Sequence, residues 1–374
     1  MGEVDHKTVF IDGTKIESAA GRYTFCWRKN SEKQLTKVKG KTLEPGYSIL
    51  ESLHSFLETE HEKIAFVHGI GHRKSPEQKR WEELNDLYLK WVKYEKDLEI
   101  MGESRNSYSK TDKDTTFMRM KEDHMRNGQL KPAYNLQIAV NSEYITGLGI
   151  FSNRTDFDTP VPLLRKMKKE HGCQYKEVCA DAGYENLDNY LYLEENGQIS
   201  FIKPSNYEQK KTKKFKKQVG KMRTYSTIQR MTVLPAPEIL RMEGQPGRHH
   251  SSPQLTTAWY RCENCSGCPC RNARCHAKDL DKPKEVRPQK TFWEKRAISQ
   301  KNITTEHGIV RMYRSIQVEG TFGLLKNDFG FRRFLAREKV NVTAECYFLA
   351  LGFNLKKLWM KRENNRLQTH LSDF

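Results

Sequence analysis

Short runs of β-branched and aromatic residues alternate with amphipathic stretches along this chain, and that alternation constrains the fold more than any other feature. Thr8-Val9-Phe10-Ile11 is one such run, read as a strand that Asp12-Gly13 ends, and Tyr23-Thr24-Phe25-Cys26-Trp27 is a second. Residues of these types suit the pleated surface of a sheet. Tyr134, Leu136, Ile138 and Val140 alternate with polar or small residues, the period of a half-buried strand, and Ile145 to Phe151 reads as its hairpin partner. At Asp158-Thr159-Pro160 a polar cap precedes a proline, which predicts a helix running to about His171. Glu177 to Ala180 is a short buried strand ending at Asp181, a helix follows over roughly 186–196, and Ile199 to Ile202 is another strand. Strands interleaved with helices predict an α/β fold, a mixed sheet flanked by helices.

Elsewhere the pattern is helical. Ile49, Leu50, Leu53, Phe56 and Leu57 recur at helical spacing within 46–66, as do Trp81, Leu84, Leu87, Tyr88, Trp91 and Leu98 within 77–100. The glycines and proline between His68 and Pro76 make these a helical hairpin, an insertion over 46–102 that divides a core at 1–45 from its continuation at 103–208. Residues 102–114 read as a loop. A Lys-rich charge run at 209–223 opens a basic linker and Cys-rich insertion reaching residue 300, in which 224–256 shows no strand periodicity. Residues 301–374 complete the chain, with helices predicted over 305–327 and 338–360, the latter carrying Tyr347, Phe348, Leu351, Leu355 and Leu358 on one face.

The formal net charge is +18, which favours a polyanionic partner, DNA or RNA before others. No apolar run approaches the ~20 residues that span a bilayer, and the polar start has no apolar signal core. A cytoplasmic, nucleoid-associated protein with no membrane partner is expected. Nine cysteines in a reducing compartment argue against a disulfide framework, and five of them fall between Cys262 and Cys275. Cys262, Cys265, Cys268 and Cys275 supply four thiolates in a short stretch, the donor set of a structural Zn²⁺ site, with Cys270 and His276 spare; Fe–S ligation stays open.

Three acidic residues stand out, each with an ordinary alternative. Asp12 before Gly13 at a strand end also fits a hairpin turn. Asp181 lies where a strand meets a loop before a helix; it fits a helix cap as well as the carboxyl-end position at which α/β sheets collect their sites. Glu319 fits a solvated helix face, on which Lys326 follows two turns later.

Phe10-Ile11-Asp12-Gly13-Thr14-Lys15-Ile16-Glu17, Ala180-Asp181-Ala182-Gly183-Tyr184 and Ser315-Ile316-Gln317-Val318-Glu319-Gly320-Thr321-Phe322-Gly323 resemble, in order, the three signature blocks of bacterial insertion-sequence DDE transposases with a Cys-rich insertion. Tyr260-Arg261-Cys262-Glu263-Asn264-Cys265-Ser266-Gly267-Cys268-Pro269, Phe331-Arg332-Arg333-Phe334 and Asn354-Leu355-Lys356-Lys357-Leu358 resemble that subgroup too. The resemblance implies an RNase H-like fold with a helical-hairpin insertion and a Cys-rich insertion. It makes Asp12, Asp181 and Glu319 catalytic, holding two Mg²⁺ or Mn²⁺ ions for DNA cleavage and strand transfer. Lys326, Arg314, Arg332 and Arg333 become DNA contacts, and a homo-oligomer on paired DNA ends is expected. Members of the family carry a helical DNA-binding region ahead of the first block, which here begins eight residues after Met1, so a truncated or inactive copy is the expectation; 224–256 departs from the strands the family has there. The rival readings are an RNase H-like nuclease without strand transfer and a non-catalytic zinc-containing DNA-binding protein.

Overall fold

The computed structural model describes residues 2–43, 46–68, 73–120, 128–209, 212–213, 239–242, 259–262, 285–286, 289–305 and 318–369. In chain order its elements begin with β1 (Thr8–Glu17), β2 (Phe25–Trp27), α1 (Arg28–Leu43), α2 (Leu50–His61), α3 (Pro76–Met101), β3 (Ser107–Ser109) and β4 (Thr116–Arg119). The second part of the sheet follows: β5 (Leu130–Asn141), β6 (Tyr144–Phe151), α4 (Pro160–His171), β7 (Glu177–Ala180), α5 (Leu187–Glu195) and β8 (Ile199–Ile202). Last come β9 (Ile239–Met242), β10 (Trp259–Cys262), β11 (Glu285–Val286), α6 (Lys290–Thr304), the short α7 (Gly320–Gly323) and α8 (Lys339–Glu363).

β1 is the central strand. It pairs antiparallel with β5, Phe10 opposite Val140, and parallel with β7, Ile11 opposite Ala180. β5 turns back into β6, β4 shares the same edge of β5, and β7 pairs parallel with β8. The path β6-β5-β1-β7-β8 therefore has an antiparallel meander followed by two parallel crossovers, an RNase H-like mixed sheet. Both faces are covered. Phe10, Leu136, Ile138, Val140 and Cys179 meet Val318, Phe322, Val342, Cys346 and Phe353 on one side. On the other, Val9, Ile11, Val178 and Ala180 meet Leu163, Leu164 and Met167 of α4 and Tyr190 and Leu193 of α5.

α1 and α2 both pack against α3, with Leu35 and Val38 joining Leu53, Leu57, Leu84 and Trp91 in a separate cluster. α3 starts where its sequence suggests: Ser75 accepts a hydrogen bond from the Gln78 amide at 3.1 Å and Pro76 follows. α1 itself was not foreseen, because RKNSEKQLTKVKGKTL has too few apolar residues for a helical stripe.

Several sequence expectations are corrected. The strand does not end at Asp12-Gly13; it runs on to Glu17, with Gly13 registered against Gln137. The glycine serves close approach: a Cβ at Gly13 would stand 2.0 Å from Gln137 Nε2 and 2.7 Å from Asp156 Oδ1. The Gln137 amide cannot simply swing away, because it is buried and bonded on both its nitrogen and its oxygen. Gly13→Ala is therefore expected to destabilise the chain by about 1–3 kcal/mol through overpacking; a thermal melt checks this, and an unchanged midpoint would contradict it. The loop expected over 102–114 contains β3, which pairs with β2. The stretch 224–256 contains β9, which with β10 and β11 makes a three-stranded sheet. The large apolar stripe predicted for the last helix is not its packing face: Phe348, Leu351 and Leu355 are exposed, while Val342, Cys346, Ala350 and Phe353 are buried against the sheet. Small Cys and Ala side chains let the helix approach the sheet, which a count of large residues does not register.

Candidate active site

Asp12 and Asp181 are the next residues after the last registered pair of two parallel neighbours, Ile11 and Ala180. Neighbouring strands lie about 4.8 Å apart. Side chains alternate along a strand, so Asp12 shares the face of Phe10, and Asp181, still extended at φ −82° and ψ −175°, shares the face of Cys179. Phe10 and Cys179 both pack in the cluster that includes Val318, Phe322 and Leu325. The two residues thus leave adjacent strand ends on the face covered by the chain that carries Glu319. Asp12 is 9% exposed, and its Oδ1 accepts the Gly13 amide at 2.8 Å. Asp181 Oδ1 accepts the Gly183 amide at 2.7 Å, which fixes the turn after β7.

Glu319 directly precedes α7, exposed beside the fully buried Val318. Among the described residues no group of three or more His, Cys, Asp or Glu side chains is gathered closely enough to hold a metal ion. The structure therefore brings Asp12 and Asp181 together and does not gather Glu319 with them into such a group. The paired aspartates offer hard carboxylate oxygens, the donors that Mg²⁺ and Mn²⁺ take, and Mg²⁺ keeps several waters, so the donor chemistry fits a divalent cation.

Lys326 lies on the π-helical turn Leu324–Asp328 that continues α7. Arg332 bonds within its own loop, its Nε to the Lys326 carbonyl at 3.3 Å and a terminal nitrogen to Asn327 Oδ1 at 3.2 Å. Arg333 is tied to the core: its Nε donates to the Ser18 carbonyl at 3.1 Å and lies 4.0 Å from Glu17. Burial pushes the Glu17 carboxyl up, but Arg22 and Lys131, at 2.8 and 3.0 Å, outweigh it and hold Glu17 below the usual range. Phe334 anchors this segment through its amide to the Glu17 carbonyl and its ring edge-on to Tyr134. Cys262 closes β10; Cys265, Cys268, Cys275 and Arg314 lie outside the described residues.

Sequence reasoning missed a polar network on the opposite side of the sheet. Asn135, Gln137 and Tyr184 are buried; Asn135 and Gln137 bond to each other and to Asp156, and the Tyr184 hydroxyl donates to Gln137. Asn135 and Gln137 were visible only as the polar partners in an alternating strand, a pattern that ordinarily faces water. Here helices cover that face, so the amides need protein partners.

Residues 235–359 match the family described as a transposase DDE domain. That span includes Glu319, α6, α7 and most of α8; β1 and β7, with Asp12 and Asp181, precede it. No curated protein and no solved structure matches the chain. Among the described residues no helix is long and apolar enough to cross a membrane. The stretch from residue 235 to residue 359 is thus similar to the transposase DDE domain family, and the described part of it that follows residue 317 packs on the mixed sheet.

Proposed function

We propose that this chain is an insertion-sequence transposase that cleaves DNA and joins the freed end to a target, using a divalent-cation site built on Asp12, Asp181 and Glu319. The observation that carries the reading is the pairing of Asp12 and Asp181 at one level of two parallel strands, under the segment that bears Glu319. When bound, a pair of divalent cations relieves phosphate charge and activates the attacking oxygen in an in-line displacement. Asp12 holds its oxygens from a rigid central strand, Asp181 from the turn that its own bond to Gly183 fixes, and Glu319 from the start of α7. Lys326 is the phosphate contact on the same helical segment, with Arg314, Arg332 and Arg333 as further ones. Cys262, Cys265, Cys268 and Cys275 are assigned a structural Zn²⁺, and the working form is a homo-oligomer on DNA.

The test is incubation with supercoiled plasmid and Mn²⁺, followed by a search for nicked and for joined products. Cation-dependent nicking with joined ends supports the whole reading; nicking with no joined product reduces it to a nuclease. Stable DNA binding without cleavage at any Mn²⁺ concentration contradicts it. Binding itself is expected to be strongly salt-dependent given the net charge of +18. Contacts to 6–10 phosphates lose about 10³–10⁵ in affinity between 50 and 200 mM salt. A gel-shift series measures this, and a flat salt response would exclude phosphate recognition.

A further inference from the structure

The carboxylate of Asp156 lies between the two backbones that carry the paired aspartates. Asp156 belongs to the loop joining β6 to α4, and its Oδ1 accepts from Asn135 Nδ2 at 2.8 Å and from Gln137 Nε2 at 2.7 Å. Gln137 Nε2 also donates to Asn135 Oδ1 at 2.8 Å, and Gln137 Oε1 accepts the Tyr184 hydroxyl at 2.5 Å. None of these three partners is more than 1% exposed. Two amide donors from buried residues converge on Oδ1 and hold it in place. The other oxygen reaches the turn after β7. A Cβ at Gly183 would stand 3.6 Å from Asp156 Oδ2 and 3.0 Å from Asp181 Oδ1, and a Cβ at Gly13 would stand 2.7 Å from Asp156 Oδ1. Asp156 therefore packs against the glycine that follows Asp12 and the glycine whose amide holds Asp181.

Helix capping does not account for this side chain. The residue that caps α4, Thr159, is bonded by the main-chain carbonyl of Asp156, which accepts the Thr159 amide at 3.2 Å and its hydroxyl at 2.8 Å, and the Asp156 side chain takes no part.

We propose that Asp156 is a positioning residue for the cation site: clamped by Asn135 and Gln137, it fills the space between Gly13 and Gly183 and so sets where Asp12 and Asp181 point. The inference rests on the reading of those two aspartates as cation ligands. Groups that orient metal ligands typically carry 10–100-fold in metal affinity. Asp156→Ala empties the space and strands the Gln137 amide; Asp156→Asn keeps both the volume and an acceptor for the two amides.

The experiment is Mn²⁺ binding to the full chain, read from the free-ion electron paramagnetic resonance signal, with a thermal melt of every variant. The expected result is a dissociation constant weakened about 10–100-fold in Asp156→Ala, largely restored in Asp156→Asn. Should Asp156→Ala not fold, Asn135→Ala removes one of the two amides that clamp Asp156 Oδ1 and is expected to weaken Mn²⁺ binding in the same direction. A lowered melting temperature with unchanged Mn²⁺ affinity would overturn the proposal and leave Asp156 a stability residue. A parent chain that binds no Mn²⁺, or binds it equally well as Asp181→Ala, would overturn the cation-site reading and the inference with it.

Discussion

Arg296→Ala is expected to lower the unfolding free energy by about 3–5 kcal/mol, the usual cost of leaving one member of a buried ion pair without its partner. Arg296 lies on α6, and its Nε is 2.8 Å from Glu185 Oε1, with both side chains only 4% exposed. The surroundings are specific. Glu185 Oε2 accepts the Ser205 amide at 2.8 Å, an Arg296 terminal nitrogen donates to Asn206 Oδ1, and the guanidinium lies 4.8 Å over the Trp293 ring. Burial, and next to it the Glu185 charge, push the nearby Tyr190 phenol well above its usual range. The alanine variant leaves the Glu185 carboxyl buried without its partner. The double replacement Glu185→Leu with Arg296→Met is expected to cost clearly less than the two single losses together, because it leaves no buried charge unpaired. Chemical denaturation of the three variants checks this; additive losses would mean that the two side chains act independently. Glu185 follows the turn that holds Asp181, so the pair also couples α6 to the floor of the site.

Asp181→Ala is expected to reduce cation-dependent nicking on the order of 10²–10³-fold, the scale seen when one preorganised group facing developing charge is removed. Its effect on folding is expected to be small, about 1 kcal/mol, because its bond to the Gly183 amide is a local cap at a short turn. The same loss of nicking is expected for Asp12→Ala. DNA binding, carried by dispersed Lys and Arg contacts to phosphate, is expected to persist in both. Loss of binding and nicking together would mean that the aspartates hold up the fold and not the chemistry.

The sheet was legible because its signals are local. The alternation of Tyr134, Leu136, Ile138 and Val140, the Pro160 helix start and the short strand before Asp181 each announce themselves within a few residues, and the structure has β5, α4 and β7 there. What stayed hidden depends on contacts far apart in sequence. Gly13 looked like a turn residue because its reason for being glycine is Gln137, on another strand. α6 was invisible to apolar periodicity because, between Phe292 and Ile303, its buried positions are polar: Arg296 meets Glu185, and Ser299 Oγ donates to the Ile202 carbonyl while accepting the Ile202 amide. The last helix was placed correctly but turned the wrong way, since Cys346 and Ala350 face the sheet and the large Phe348 does not. Of the site, the sequence singled out the acids and their order; only the parallel register of Ile11 with Ala180 puts Asp12 beside Asp181, and nothing local marked Asp156.

The most direct test of the account is one nicking assay: the parent chain and the single variants Asp12→Ala, Asp181→Ala and Glu319→Ala, each with supercoiled plasmid and Mn²⁺, beside a DNA-binding control. The account predicts nicking by the parent that chelation stops, and its loss in all three variants with DNA binding retained. A variant at any of the three positions that nicks as fast as the parent would remove that residue from the site, and undiminished nicking by Asp12→Ala and Asp181→Ala together would contradict the account at its centre.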